Sequence, residues 1–342
     1  MDLSKDQLEK QLRETSRSGT VSDITKLLET TDITSQDSEG FTALHYAAAG
    51  NNIPVLKLLV AKGAKVNSVS KNGCTPLYVA SQSGYIDTVN ELIESKADVD
   101  ITTKSTKHTA LLVAAEFGYN SVIKKLLLSG ANIHHNMNKG FTALHISAQH
   151  GQTETIQLLL QEGCNINSQT ESKWTPLMVA IWNEQYQAAE ELKNNGANIH
   201  LKNQAGNTVL ALAAVKHTHL VKLCLSAGCD VNTQEYELNW TPLHVASATG
   251  KQDVVKTLLT HAANVNIPDR RGNTPLHLAA HQGYRNVVAT LFDAGADIFA
   301  LNAGNLTCLD IAKERMYIEI VRDLIANIER VNYKHVTGHP WS

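Results

Sequence analysis

Gly272-Asn273-Thr274-Pro275-Leu276-His277-Leu278-Ala279-Ala280 reads as the opening of a helix. A threonine side chain accepts from the first free backbone N–H groups of a helix, and a proline just after it lacks the N–H that would have stayed unsatisfied. Nearly the same phrase recurs as Asn239-Trp240-Thr241-Pro242-Leu243-His244-Val245-Ala246. Its threonine belongs to a grid: Thr42, Thr75, Thr109, Thr142, Thr175, Thr208, Thr241, Thr274 and Thr307, spaced by 33 residues except for one interval of 34. A fixed period of that length predicts stacked repeats rather than a globular catalytic domain.

Within the unit that starts at Thr274, Leu276, Ala279 and Ala280 make an apolar stripe whose small alanines let a second helix come close. Gly283 breaks the first helix. The second carries Val287, Val288 and Leu291 at helical spacing, and Gly295 follows where a left-handed residue can satisfy the last carbonyls. The chain then crosses to the next unit as an extended hairpin. Such a helix pair has apolar surface on both broad faces and hides it only by stacking, so terminal units need polar outer faces. Residues 6–29 keep the two-helix rhythm with Leu8, Leu12, Ile24, Leu27 and Leu28 in an otherwise polar stretch. At the other end, Thr307-Cys308-Leu309-Asp310-Ile311-Ala312 opens a unit whose second helix is expected to continue through Ile325 and Ile328. Val336 to Ser342 carries no repeat pattern and is expected to be a flexible tail or the stub of a longer chain.

These units resemble the ankyrin repeat. The resemblance extends to a glycine about nine residues after the threonine (Gly84, Gly118, Gly151, Gly250, Gly283) and to closing signatures such as Gly63-Ala64-Lys65-Val66-Asn67 and Gly163-Cys164-Asn165-Ile166-Asn167. It implies an all-α repeat solenoid of helix-turn-helix units joined by β-hairpin loops. The expected organisation is capping helices over 1–36, the repeat array over 37–326, and a helix extension with a tail over 327–342.

Composition fits a one-dimensional array, which needs no single large core despite 342 residues. A net charge of −3, with 30 basic and 33 acidic side chains spread along the chain, argues against nucleic acid or an anionic membrane as main partner. No apolar run is long enough for a membrane helix, and the start, Met1 to Lys10, has no apolar signal core. Five cysteines without regular pairing fit a reducing compartment. The expectation is a soluble intracellular monomer, cytoplasmic rather than nuclear. The sequons Asn239-Trp240-Thr241 and Asn305-Leu306-Thr307 are then expected to stay unglycosylated.

Candidate chemistry is sparse. His45, His145, His244 and His277 share one place in the repeat, and the resemblance implies that this residue ties neighbouring hairpins by hydrogen bonds. His217-Thr218-His219 and His134-His135 lack a second ligand pair at zinc spacing. Cys164 and Cys229 replace an alanine and are expected to be small buried groups, while Cys224 and Cys229 lack Cys-x-x-Cys spacing. No nucleophile elbow, phosphate loop, dinucleotide fingerprint or His-Glu-x-x-His occurs. No enzyme activity, catalytic residue, cofactor or metal is therefore expected. The resemblance also raises asparagine hydroxylation, received at Asn67, Asn167, Asn232 or Asn266.

Positions that the scaffold does not dictate carry the functional reading. In the resembled family, partners meet hairpin tips and first-helix ends on the concave face. Here these positions hold Phe41, Phe117, Phe141, His150, Trp174, Trp182 and Trp240. Tryptophan is among the residues most enriched at interface hot spots. The sixth unit lacks one residue between its helices and is followed by a longer hairpin, Thr233 to Asn239, from which Tyr236 is expected to project. A similar extra residue lies between Thr102 and His108. The fifth unit has Glu184 where a loop glycine is expected, and Lys193 in place of an apolar residue is expected to weaken its packing. Curvature is expected to change locally near units five to seven. The reading is a non-catalytic scaffold or adaptor for a protein partner. The resemblance also admits the substrate-recognition part of a larger activity: a ubiquitin-ligase receptor, a kinase-linked protein or a host-directed bacterial effector.

Overall fold

The computed structural model describes residues 4–337 and divides the chain into two compact units, residues 1–171 and 172–342. The first unit contains α1 (Lys5–Ser18), α2 (Val21–Leu27), α3 (Ala43–Ala49), α4 (Ile53–Ala61), α5 (Pro76–Gln82), α6 (Ile86–Glu94), α7 (Ala110–Phe117), α8 (Asn120–Leu128), α9 (Ala143–Gln149) and α10 (Thr153–Gln161). Odd-numbered helices α1 to α9 pack in one row and even-numbered helices α2 to α10 in a second. The second unit repeats the scheme with α11 (Pro176–Trp182), α12 (Tyr186–Asn194), α13 (Val209–Ala214), α14 (Thr218–Ser226), α15 (Pro242–Ala248), α16 (Gln252–Thr260), α17 (Pro275–Gln282), α18 (Arg285–Asp293), α19 (Cys308–Glu314) and α20 (Ile318–Thr337). Among the described residues no helix is long and apolar enough to cross a membrane.

Each grid threonine is an N-cap in extended backbone. Thr75 Oγ1 accepts from the Tyr78 amide at 3.0 Å, and Thr109 and Thr175 repeat the bond at 3.3 Å. Between the rows lie alanines with almost no exposure, Ala47, Ala48, Ala114, Ala115, Ala279 and Ala280 among them, so helix axes approach closely. Larger aliphatics such as Leu56, Leu59, Leu126 and Leu291 fill the wider spaces. Removing each of these from water contributes about 2 kcal/mol.

The hairpin loops contain no strand among the described residues. Each closes on itself by a bond such as Asp37 N to Phe41 O (3.0 Å) and reaches the next tip by one bond, as in Lys71 N to Glu39 O (2.8 Å) or Ala303 N to Arg271 O (2.8 Å). One bond per neighbour is too short a ladder to make a sheet. The two loops read as longer by one residue close one residue later, through Thr103 N to His108 O and Glu235 N to Trp240 O.

Several expectations are corrected. Cys164 and Cys229 are partly exposed at a position where the smaller Ala131, Ala197 and Ala296 are buried, because the added sulfur reaches beyond the niche that holds an alanine methyl; Cys224 and Cys308 are the buried thiols. Lys193 occupies a half-buried position like that of Ile93, so its charge stays near water. The smaller apolar residues of α12 are Ala188 and Ala189, which stand, buried, where α18 has Val287 and Val288. Val336 and Thr337, expected in a tail, end α20, and residues 338–342 lie outside the described residues. Along α20, Ile320 and Leu324 are buried, whereas Ile325 is exposed.

The repeated histidines His45, His145, His244 and His277 are all buried. In each a backbone amide donates to Nδ1, as Thr42 does to His45 (3.1 Å), Thr241 to His244 (3.1 Å) and Thr274 to His277 (3.1 Å). With Nδ1 accepting, the proton sits on Nε2, which donates to the carbonyl of the next tip: Cys74 (2.9 Å), Asn273 (3.1 Å) or Leu306 (3.1 Å). His145 is fully buried and takes the Thr142 amide at 3.2 Å. Burial pushes His45 from its ordinary 6.5 down to about 4 and lowers His244 and His277 as well. The unfolded chain binds these protons and the folded chain does not. Stability is therefore complete above about pH 6.5 and is lost as pH falls towards 4, by about 3 kcal/mol for His45. A melting temperature that falls steadily between pH 7 and pH 4.5 is the expected result; a flat profile over that range would contradict it.

Candidate partner-binding surface

The aromatic positions divide between the two units. In the first, Phe41 stands edge-on to His45 at 5.3 Å and Phe141 is tilted on His145 at 5.5 Å, so each tip ring covers its own repeat's histidine. Phe117, 45 % exposed, stacks on Tyr119 at 5.9 Å. His150 lies exposed at the end of α9, 3.9 Å from the Glu116 carboxylate.

In the second unit Trp174, on a tip, meets Trp182, at the end of α11, edge to face at 5.8 Å. Trp182 keeps 43 % of its surface in water. The pair walls an open pocket of about 430 Å³ together with Asn203, Gln204, Asn207 and Leu212. Lys216 lies 4.5 Å above the Trp182 ring and 3.3 Å from Glu184, whose other oxygen is 2.9 Å from His217. Glu184 holds φ +60° at a position where Gly84, Gly118, Gly151, Gly250 and Gly283 stand in other units, and Asn51 and Met316 hold a positive φ there too. In the sequence Glu184 is legible only as a loop anomaly, and nothing in the order of residues connects Lys216 with Trp182. The missing residue before α14 was the available signal, since it draws Lys216 in the chain towards the end of α13.

Tyr236 is 58 % exposed but does not stand free. Its amide donates to Ala205 O at 3.1 Å, its ring lies over Gly206, and Lys202 Nζ sits 4.8 Å from the ring centre. Gly206 has φ +86°, and a Cβ there would come within 2.5 Å of the Tyr236 backbone. The indole of Trp240 donates to Asp269 at 3.1 Å, so this side chain also braces the next tip.

Thiol chemistry is muted. Burial raises Cys164 to about 11 and Cys308 to about 12, and a hydrogen bond with Cys229, reinforced by burial, raises Cys224. These are protonated thiols at neutral pH, the opposite of activated nucleophiles. Among the described residues no three His, Cys, Asp or Glu side chains are grouped to hold a metal.

Comparison with known proteins agrees with this geometry. The family model for ankyrin repeats in three copies matches residues 13–103, 111–203, 183–269 and 209–302. The nematode Caenorhabditis elegans ankyrin repeat and KH domain-containing protein mask-1 is 37 % identical over 102 residues, 30 % of this chain and 4 % of that protein. Mouse RelA-associated inhibitor is 37 % identical over 83 residues (24 % and 10 %), and mouse protein phosphatase 1 regulatory subunit 12A is 36 % identical over 72 residues (21 % and 7 %). The matched segment is thus a tenth or less of each of these relatives' length. With the family model covering most of the residues from 13 to 302, the chain belongs to the ankyrin repeat family, whose members are generally protein-interaction modules.

Proposed function

We propose that this chain is a non-catalytic scaffold or adaptor that holds a segment of a protein partner on its hairpin tips and first-helix ends, with Trp174 and Trp182 as anchors. The exposed Trp182 ring, set edge-on to Trp174 over an open pocket, carries this reading. Such a pair offers a rigid apolar platform at little entropic cost, and Lys216, Asn203 and Asn207 give it a polar rim. Phe41, Phe117, Phe141 and His150 of the first unit, with Tyr236 and Trp240 of the second, are the proposed secondary contacts. The names of two relatives, an inhibitor and a regulatory subunit, support a role within a larger regulatory protein as the second reading.

Affinity purification with mass spectrometry, comparing the intact chain with Trp174→Ala/Trp182→Ala, tests it. Truncating interface tryptophans costs about 2–4 kcal/mol each, enough to abolish partner recovery, and the melting temperature should stay nearly unchanged. Trp240 is best left in place, because alanine there also breaks its bond to Asp269. A large fall in melting temperature would make the pair core, and an unchanged partner list would move the binding surface elsewhere.

A further inference from the structure

A second open bay, about 640 Å³, lies within the last repeats of the second unit. Its walls include Trp240, Arg271 and Leu306 from successive tips, and His281 and Arg315 from the ends of α17 and α19. The bay differs from the Trp174/Trp182 pocket in its charge. Arg271 and Arg315 are both exposed, and among the described residues neither has a carboxylate partner, whereas Arg285 pairs with Asp323 and Glu319, and Arg322 with Glu319.

Arg315 donates instead to Nε2 of His281, an uncharged acceptor that orients the guanidinium without neutralising it. Arg270, the neighbour of Arg271 on the same tip, donates to the Tyr236 carbonyl at 2.8 Å and likewise keeps its charge. Two acids stand against these three arginines. Asp269 is buried and accepts from the Arg271 and Asn273 amides and from the Trp240 indole, and Glu314 lies on the rim. The balance is one net positive charge beside the apolar surfaces of Trp240, Leu278 and Leu306. Guanidinium groups with unfilled donors fit carboxylates bidentately, and an apolar floor fits an adjacent aliphatic or aromatic side chain.

We propose that this bay docks an extended acidic segment of a partner protein, its carboxylates meeting Arg271 and Arg315 while a neighbouring apolar side chain rests on Trp240 and Leu306. The inference rests on the reading of the chain as a protein-interaction module and adds the chemistry of what it reads. A nucleic acid is the less suitable polyanion: a single net charge over an apolar floor neutralises few phosphates.

The test selects phage-displayed random dodecapeptides on the full chain. The recovered peptides, fluorescein-labelled, are titrated by anisotropy against the parent, Arg271→Glu, Arg315→Glu and Trp174→Ala/Trp182→Ala. Expected are peptides with Asp or Glu next to an apolar residue, bound at least about tenfold more weakly by either arginine variant and unchanged in the tryptophan variant. Replacing the peptide acid by lysine should restore binding to Arg271→Glu. The parent and both arginine variants should melt alike, and Arg271→Gln, which removes charge without reversing it, should give an intermediate loss. Recovery of no binder, peptides without acids, affinities within twofold across the arginine variants, or preference for a 20-nucleotide single strand would overturn the proposal. Peptides lost only in the tryptophan variant would overturn it and leave the proposed function standing, whereas peptides indifferent to every variant would count against both.

Discussion

His244→Ala is expected to lower the stability of the chain by about 3–5 kcal/mol, measured by urea or thermal unfolding at pH 7.5. The side chain is fully buried and makes bonds in two directions, accepting from the Thr241 amide and donating to the Asn273 carbonyl, 29 residues on. Alanine leaves that amide short of its acceptor and that carbonyl short of its donor, at a cost of roughly 1–3 kcal/mol per buried group, and adds a cavity the size of an imidazole. The lesion should also be local in sequence. Hydrogen exchange should quicken first at the tip around Asp269 to Asn273, because His244 is what holds that tip against α15. The exposed His150 gives the control: His150→Ala should cost less than about 0.5 kcal/mol. A His244→Ala variant within 1 kcal/mol of the parent would show that water replaces the ring, and the histidine ladder would then lose its place as a stabilising feature.

Gly50→Ala is the second large effect, and its cause is proximity. Gly50 caps α3 with φ −94°, a backbone that alanine adopts without strain. A Cβ there, however, would lie 1.9 Å from the carbonyl oxygen of Arg17 at the end of α1. Neither partner is a flexible side-chain tip, so α1 must move away from α3. With it go the burial of Leu12 and Ser16 and the two bonds from Asn52 Nδ2 to the Ser16 and Gly19 carbonyls (3.2 and 2.9 Å). The expected cost is about 2–4 kcal/mol, confined to the first two helices, since stacked repeats contact only their neighbours. Limited proteolysis should cut between residues 18 and 36 in the variant while α5 to α10 stay protected. Equal protection in variant and parent would mean that the helices shift by a few tenths of an ångström and absorb the methyl group.

Trp174 and Trp182 were legible as residues at variable positions, eight apart, because helix geometry carries a tip and the end of the following helix to one side. Lys216 was not. It reaches Trp182 only because α13 ends early and the chain turns back beside Glu184, a contact that depends on two successive repeats being stacked in register. Trp240 is equivalent in sequence to other tip residues and Tyr236 is expected to project from its longer hairpin, yet one is tied to Asp269 and the other lies on Gly206. Arg271 and Arg315 are 44 positions apart and share no pattern, so nothing in the order of residues announces that they line one bay.

By itself the sequence determined what is local and periodic: the threonine caps, the prolines at the first helical position, the apolar spacing, and hence the helix pairs and their stacking, while the structural use of the histidines came as an implication of the family resemblance. Those features follow from bonds and contacts spanning one repeat or its immediate neighbour, and a 33-residue period prints them again and again. Only the tertiary structure decided which exposed side chains meet, which thiols are buried, and where charge is left unpaired. These depend on Å-scale distances between side chains of different repeats, which vary freely in sequence because the scaffold's stability does not depend on them.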